Sequence, residues 1–187
     1  MLETQLTNAY NALKKGGLIL YPTDTLWAIG CDATNYKAVK KLEEIKQRSS
    51  EKNGFLCLID SMSRMEKYVG NIPDVAIDIL KASSTPTTII YQDGYEVAEN
   101  VLSKSGSIAM RITKHVFCKS LIKLLKKPIV STSANLSGEK PAITLNEISK
   151  TLISKVDYTV NIPSNCSGKA SSIISIKDNL EIAIIRP

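Results

Sequence analysis

The stretch Gly16-Gly17-Leu18-Ile19-Leu20-Tyr21-Pro22-Thr23-Asp24-Thr25 decides the fold. Upstream of it Leu6, Ala9 or Tyr10, and Leu13 recur at helical spacing, and the two glycines stop that helix. The four apolar residues that follow make a short buried strand, which ends in proline and a run of hydroxyl side chains. Helix, strand and polar loop are therefore joined within 25 residues. The same alternation continues outward. A second helix is expected from about Tyr36 to Gln47, with Val39, Leu42 and Ile45 or Lys46 on successive turns and Asn35 as its cap. Apolar strand-like runs appear at residues 55–59, 87–91, 107–112, 129–131, 158–162, 172–176 and 182–185. Further helices are expected at residues 62–69, at 73–81 with Pro73 in the first turn, and at 114–126. Thr144-Leu145-Asn146-Glu147 matches a capping box that opens one more, to about Ile153. Interleaving of this kind implies an α/β domain, a mixed sheet with helices packed on it. With no repeat, low-complexity tract or long linker, the expectation is one domain over residues 1–187.

Composition narrows the chemistry. A chain of 187 residues with 43% apolar content buries roughly two thirds of its unfolded surface, so it needs no disulfide staples. Cys31, Cys57, Cys118 and Cys166 are isolated, and no C-x-x-C exists for a zinc ribbon or a thioredoxin-like site. His115 is the single histidine, which excludes HExxH zincins and three-histidine metal centres. A serine or cysteine triad would have to use it as its only imidazole base. It has two readings, a hydrogen-bonded structural residue or a catalytic group. The polar N-terminus resembles no signal peptide, and no apolar run reaches about 18 residues, so a reduced cytoplasmic protein without membrane contact is expected.

The net charge of +6 is unevenly spread. Between residues 101 and 155 ten basic side chains face two acidic ones, and no acid lies between Glu99 and Glu139. Lys104, Arg111, Lys114, Lys119, Lys123, Lys126 and Lys127 fill that gap. Such a field attracts a nucleotide, RNA or an acidic partner; a merely solvated lysine face is the alternative.

The nine glycines form neither G-x-G-x-x-G nor G-x-x-x-x-G-K-[ST], so a nucleotide would have to be held another way. Two hydroxyl-rich loops follow apolar strands instead: Pro22-Thr23-Asp24-Thr25, and Ser131-Thr132-Ser133-Ala134-Asn135-Leu136-Ser137-Gly138. Small hydroxyl and amide side chains leave the backbone accessible and add donors for carboxylate and phosphate oxygens at strand ends. They also suit ordinary turns and caps. Against 20 lysines there are four arginines, and Arg48, Arg111 and Arg186 fall at the ends of predicted elements, where a permanently charged planar fork is useful.

These pieces resemble one family. Leu20 to Trp27 with Gly30-Cys31-Asp32-Ala33 follows a Y-P-T-[DE]-T-x-[YW]-G-L-x-x-[DN]-A pattern. Lys46-Gln47-Arg48 matches a K-x-R element, Ser107 to Arg111 a strand with its arginine, and Ser131 to Gly138 an S-A-N-x-S-G loop. Gly168 to Ile174 is similar to a G-x-x-S-[ST]-[IV]-[IV] element, and Ile185-Arg186 to a closing arginine. In this order they resemble the Sua5/YrdC family of threonylcarbamoyl-AMP synthases, which begin the threonylcarbamoyladenosine modification of tRNA. The resemblance implies a YrdC/RibB-like twisted open mixed sheet with flanking helices and a large concave ligand-binding face. It implies a reaction joining L-threonine, bicarbonate and ATP, with release of pyrophosphate and with Mg2+ bridging the phosphates. The sequence offers no carboxylate cage for a metal of its own.

Carried over residue by residue, Lys46, Arg48, Ser133 and Asn135 resemble the catalytic K-x-R and S-x-N set, with Lys46, Arg48 and Ser133 on ATP phosphates and Asn135 ordering the loop or the nucleotide. Ser107, Pro141 and Arg186 resemble further nucleotide contacts. Thr23, Arg111, Ser131 and Ser171 resemble the threonine side, where Arg111 would grip the carboxylate bidentately. Asp24 is either a group supporting that site or a turn-stabilising aspartate. Departures from the pattern are Ala28 in place of glycine, Ser49 to Gly54 in place of a proline-containing stretch, and Thr113 at a usual proline position. The end at Pro187 matches the short form without the additional domain of longer Sua5 proteins. Expected partners are a threonylcarbamoyl transferase complex and, through the basic segment, tRNA or double-stranded RNA. The rival reading is a YciO-like double-stranded RNA-binding protein of the same fold without synthase activity. A carbamoyl-transfer module of the hydrogenase-maturation type shares the fold, usually within a longer chain.

Overall fold

The computed structural model describes residues 2–47, 54–177 and 179–187. Helix α1 (Leu2–Lys14) buries Ala9 and Leu13, and Gly16 turns the chain away at φ +73°. Strand β1 (Ile19–Pro22) follows, then β2 (Trp27–Asp32) and α2 (Tyr36–Lys46). The Asn35 side chain accepts the Ala38 N–H at 3.2 Å and opens α2, while Gln47 closes it in the left-handed region. Next come β3 (Leu56–Ile59), α3 (Met62–Val69), α4 (Asp74–Ala82) and β4 (Thr87–Tyr91). The chain continues through β5 (Ile108–Ile112), α5 (Val116–Leu125), β6 (Ile129–Ser133), α6 (Lys150–Ile153), β7 (Tyr158–Thr159), β8 (Ser172–Ile176) and β9 (Ile182–Arg186).

Among the described residues all strands join one sheet in the order β7-β1-β2-β6-β3-β5-β4-β8-β9. Pairs β1–β7, β3–β5 and β4–β8 are parallel and the other five antiparallel, so the sheet is mixed as expected. The register sorts the side chains into two faces, because neighbours across a ladder point the same way. Cys31, Val130, Cys57, Met110 and Ile89 lie across one face, all buried. The helices cover that face, and Tyr91, two residues beyond Ile89, brings its hydroxyl to 3.8 Å from Met65 Sδ in α3. On the opposite face the centre of the sheet carries Ala28, Gly30, Ser131, Ser133 and Ala109. Side chains this small leave depth above the sheet, and the concave face follows from them.

Several expected boundaries move. Trp27–Asp32 is a strand that no apolar periodicity predicts, yet all six residues are buried between β1 and β6. The run at 129–131 extends to Ser133 because it pairs with β2, whereas the run at 158–162 forms only a two-residue pairing with β1. Pro73 is the cap of α4 instead of its first residue, and α5 begins after His115 instead of at Lys114. The 144–153 helix does not form as one piece. Glu147 accepts the Ile143 N–H at 2.9 Å and the Thr144 hydroxyl at 3.0 Å, which closes a single 3-10 turn at Leu145–Glu147. Ser149 then caps the short α6 separately, accepting the Leu152 N–H at 3.3 Å. A 3-10 turn at Glu99–Val101 is a further element that the sequence pattern does not announce. No helix among the described residues is long and apolar enough to cross a membrane.

Candidate functional site

A cavity of about 610 Å³ opens on the small-residue face of the sheet. Thr23, Ser107, Arg111, Ser131, Ser133, Pro141, Ser171 and Arg186 all line it. The structure thus brings together every residue expected on the threonine side and most of those expected on the nucleotide side. Arg48 and the 49–53 departures lie outside the described residues. The described lining contains two arginines and no aspartate or glutamate, so its field favours anions.

Its floor at one end is the loop between β1 and β2. Thr23 Oγ1 donates to the Leu26 carbonyl at 2.8 Å and accepts the Thr25 and Leu26 N–H groups at 3.1 and 3.3 Å. These bonds form an ST turn that occupies the Thr23 hydroxyl with the shape of the loop. The late loop is laced to it, since Ser167 N–H donates to the Asp24 carbonyl at 3.1 Å and Gly168 N–H to that of Thr25 at 2.9 Å. Trp27 fastens the other side through Nε1 to Ser164 Oγ at 3.1 Å.

Arg111 projects from β5 and is only 3% exposed. Its guanidinium donates to Thr25 Oγ1 at 3.4 Å, Nε has no partner, and no carboxylate stands within ion-pair distance among the described residues. Burial lowers its pKa and the charge of Asp24 pulls it back up. A buried fork with an unused donor beside a cavity is suited to an anionic ligand with two oxygens. Arg186, from β9, donates through Nε to the Ser171 carbonyl at 2.8 Å and through its terminal nitrogen to Ser171 Oγ at 3.4 Å. Ser171 Oγ lies 2.8 Å from Thr88 Oγ1, so hydroxyl groups of β4 and the late loop meet at that wall.

The opposite rim is the loop after β6. Lys46, in the last turn of α2, donates to the Ser133 carbonyl at 2.9 Å, to the Asn135 carbonyl, and to Asn135 Oδ1 at 3.2 Å. Ser133 Oγ donates to Asn135 Oδ1, and Asn135 Nδ2 donates to the Glu139 carbonyl at 2.7 Å. Lys46 and Asn135 therefore shape the loop that presents Ser133, and neither belongs to the described lining of the cavity. On the third wall the expected Ser107 stands with two hydroxyls that sequence reasoning passes over, those of Ser103 and Ser105. Ser103 Oγ lies 2.9 Å from Ser105 Oγ and 2.6 Å from Ser107 Oγ, and all three face the cavity. Their signal is the run Ser103-Lys104-Ser105-Gly106-Ser107; Thr25 and Thr88 also line the cavity without being singled out, although Thr25 belongs to the quoted hydroxyl loop.

Ala28 sits on β2 opposite Ser133 and forms part of the lining. Thr113, fully buried after β5, donates its hydroxyl to Asp24 Oδ2 at 2.8 Å. The His115 backbone N–H bonds Thr113 Oγ1 at 3.2 Å, but ring Nδ1 is buried without a partner, and burial depresses the imidazole pKa. Cys57 and Cys118 are enclosed, and burial pushes both thiols up, which makes them poor nucleophiles. Lys127, counted above with the basic segment, donates to Asp32 Oδ2 at 2.9 Å and Thr34 Oγ1 at 2.7 Å, whereas Lys114, Lys119, Lys123 and Lys126 are exposed. Among the described residues no three histidine, cysteine, aspartate or glutamate side chains gather into a metal site. The lining thus fits oxyanions and does not fit a resident metal ion.

Comparison with known proteins gives consistent results. The family model Sua5/YciO/YrdC, described as "Telomere recombination", matches residues 11–187. A protein named threonylcarbamoyl-AMP synthase from Pseudoalteromonas translucida (strain TAC 125) is 32% identical over 174 residues, which cover 91% of this chain and 92% of that protein. Among solved structures, P. abyssi Sua5 complexed with L-threonine superposes with a TM-score of 0.88 at 24% identity. The superposition covers all of this chain and 54% of that one, so this chain spans about half the length of that Sua5. E. coli YciO superposes with a TM-score of 0.82 at 24% identity, covering all of this chain and 89% of that one. At these identities the two structures establish the fold alone, a twisted open sheet flanked by helices.

Proposed function

This chain belongs to the Sua5/YciO/YrdC family, and on that premise we propose that it is a threonylcarbamoyl-AMP synthase, an enzyme that joins L-threonine, bicarbonate and ATP with release of pyrophosphate. The observation that carries this reading is Arg111, a buried guanidinium with an unpartnered Nε beside a cavity whose described lining holds no acid. The carboxylate of threonine supplies the missing anion. Ser171 and Ser131, on the walls flanking Arg111, complete the amino-acid end, and Thr23 acts by setting the shape of the floor.

The threonine amine condenses with bicarbonate, losing water, to give a carbamate, whose oxygen attacks the α-phosphate of ATP as the α–β phosphoanhydride bond breaks and pyrophosphate leaves. Three anionic partners must be held together, so catalysis consists of positioning and charge compensation by fixed donors. Ser107, Pro141 and Arg186 are assigned to the nucleotide, and Ser133 to its phosphates. Lys46 presents Ser133 through the loop it binds, and Arg48 is proposed to add a second cation there. Mg2+ would enter with ATP and would supply charge neutralisation at its phosphates, since the described lining offers a metal no carboxylate. No step needs a protein nucleophile or an imidazole base. The scheme works as one domain, in the compartment that holds ATP and tRNA, the cytoplasm. The exposed lysines of α5, Lys119 and Lys123, are proposed as contacts for a tRNA or for the transferase that receives the product.

Purified protein is expected to release pyrophosphate from ATP only when threonine and bicarbonate are both present, with threonylcarbamoyl-AMP identified by mass. Lys46→Ala and Arg111→Met should each lower the rate by about two orders of magnitude, as expected when a positioned charge-stabilising donor is lost. Pyrophosphate release that ignores threonine rules the assignment out.

A further inference from the structure

Arg111 is buried with its charge, and its surroundings compensate that charge in an unusual way. Desolvation of an unpaired guanidinium costs several kcal/mol, so a nearby carboxylate normally closes onto it. Asp24 is the acidic group that acts on Arg111, yet it forms no ion pair with it among the described residues. Its Oδ2 accepts the Thr113 hydroxyl at 2.8 Å instead, and its carbonyl accepts the Ser167 N–H. Thr113 is fully buried and is itself fixed, because its N–H donates to the Ile59 carbonyl at 3.0 Å and its Oγ1 accepts the His115 N–H. Burial lowers the pKa of His115, and the charge of Asp24 acts in the opposite direction.

We infer that Thr113 is a positioning residue that holds the Asp24 carboxylate near Arg111 but off its fork, leaving the guanidinium free for the carboxylate of the substrate. The inference rests on the assignment of Arg111 to threonine. It adds the Thr113 hydroxyl, bonded to Asp24 Oδ2, to the groups that serve the amino-acid end of the cavity. With the hydroxyl removed, Asp24 is free to rotate onto Arg111 and to compete with the incoming ligand. Asp24 would then act as an internal inhibitor of the amino-acid site alone, because Ser133 and Arg186 are bonded to other groups.

The test is titration of L-threonine by calorimetry into the full chain, with steady-state kinetics for both substrates, on Thr113→Val, Thr113→Ser, Asp24→Asn and the Val–Asn double variant. Valine keeps the buried volume and removes the hydroxyl. The expected result is threonine affinity weakened about tenfold in Thr113→Val, equivalent to about 1.4 kcal/mol. KM for ATP should stay unchanged, and affinity should return in Thr113→Ser. Adding Asp24→Asn to Thr113→Val should recover part of the loss, because the competitor is neutralised. Asp24→Asn alone, which keeps an acceptor for Thr113, supplies the comparison if the valine variant fails to fold: threonine affinity falling less than threefold supports the inference, and a larger loss overturns it. In Thr113→Val, equal loss for both substrates or no loss overturns it, as does a double variant worse than either single one. An unmodified protein that binds no threonine overturns the assignment of the cavity and this inference with it, whereas binding indifferent to residue 113 overturns the inference alone.

Discussion

A guanidinium 3% exposed with an unpaired Nε carries the functional reading, and its place at the end of a strand is legible in the sequence. Arg111 stands in an apolar run that could only be a strand, in a chain that uses arginine four times. Its neighbours are less legible. Thr23 is expected on the substrate, and its hydroxyl is occupied by the turn around Leu26, a distinction that depends on backbone geometry. Likewise the targets of Lys46 are loop carbonyls, which no side-chain pattern encodes. His115 gives a prediction at this scale. Burial holds its pKa below the ordinary 6.5, so the folded protein binds fewer protons there than the unfolded chain as pH falls through that value. The stability associated with a neutral His115 is complete above about pH 6.5 and is lost as pH drops toward the depressed value. In urea unfolding at pH 7.5 and about 5.5, His115→Gln should lose less stability on acidification than the unmodified protein. Equal losses would show that the ring does not govern this window.

Strand β2 shows why an element can be plain in the structure and hidden in the sequence. Trp27-Ala28-Ile29-Gly30-Cys31-Asp32 contains alanine and glycine at the centre, residues with low strand preference, and its burial on both faces removes any alternation. Neighbours decide the conformation. A Cβ added at Gly30 would lie 1.9 Å from the Val130 carbonyl oxygen and 3.0 Å from the Tyr21 hydroxyl oxygen, so only glycine permits this approach of β2 to β6. Gly30→Ala should destabilise the protein by on the order of 3 kcal/mol. That corresponds to a fall in Tm of roughly 10 °C for a chain of this size. A thermal melt within about 2 °C of the unmodified protein would contradict the close packing described for this pair. Helices are read more securely than their ends: Leu6, Ala9 and Leu13 mark α1 by spacing alone, whereas the 144–153 helix dissolves because Glu147 bonds one residue earlier than a capping box requires.

At the scale of the molecule the α/β class and mixed sheet follow from the alternation of elements, while the strand order does not, because the pairing of β6 between β2 and β3 depends on contacts distant in sequence. The cavity is a property of the same scale, since its lining comes from strands and loops spread between Thr23 and Arg186. With no acid among the described lining residues, a divalent ion is expected to arrive with the nucleotide and not to hold the fold together. EDTA is therefore expected to abolish pyrophosphate release and to leave the Tm of the ligand-free protein within about 1 °C, since only ligands that bind the native state shift it. A large loss of Tm on chelation would point to a structural metal.

The two edges of the sheet are supplied late. β7 closes one side against β1, and β8 and β9 close the other against β4, so residues 158–186 complete both ends of a sheet begun at Ile19. During translation the earlier strands wait with open edges, and long-range pairing of this kind forms slowly. Ser171 and Arg186 arrive with the same segment. Until β9 pairs with β8, a growing chain therefore lacks both that edge of the sheet and Arg186, so the cavity gains the second of its two described arginines only after nearly all of its other walls are made.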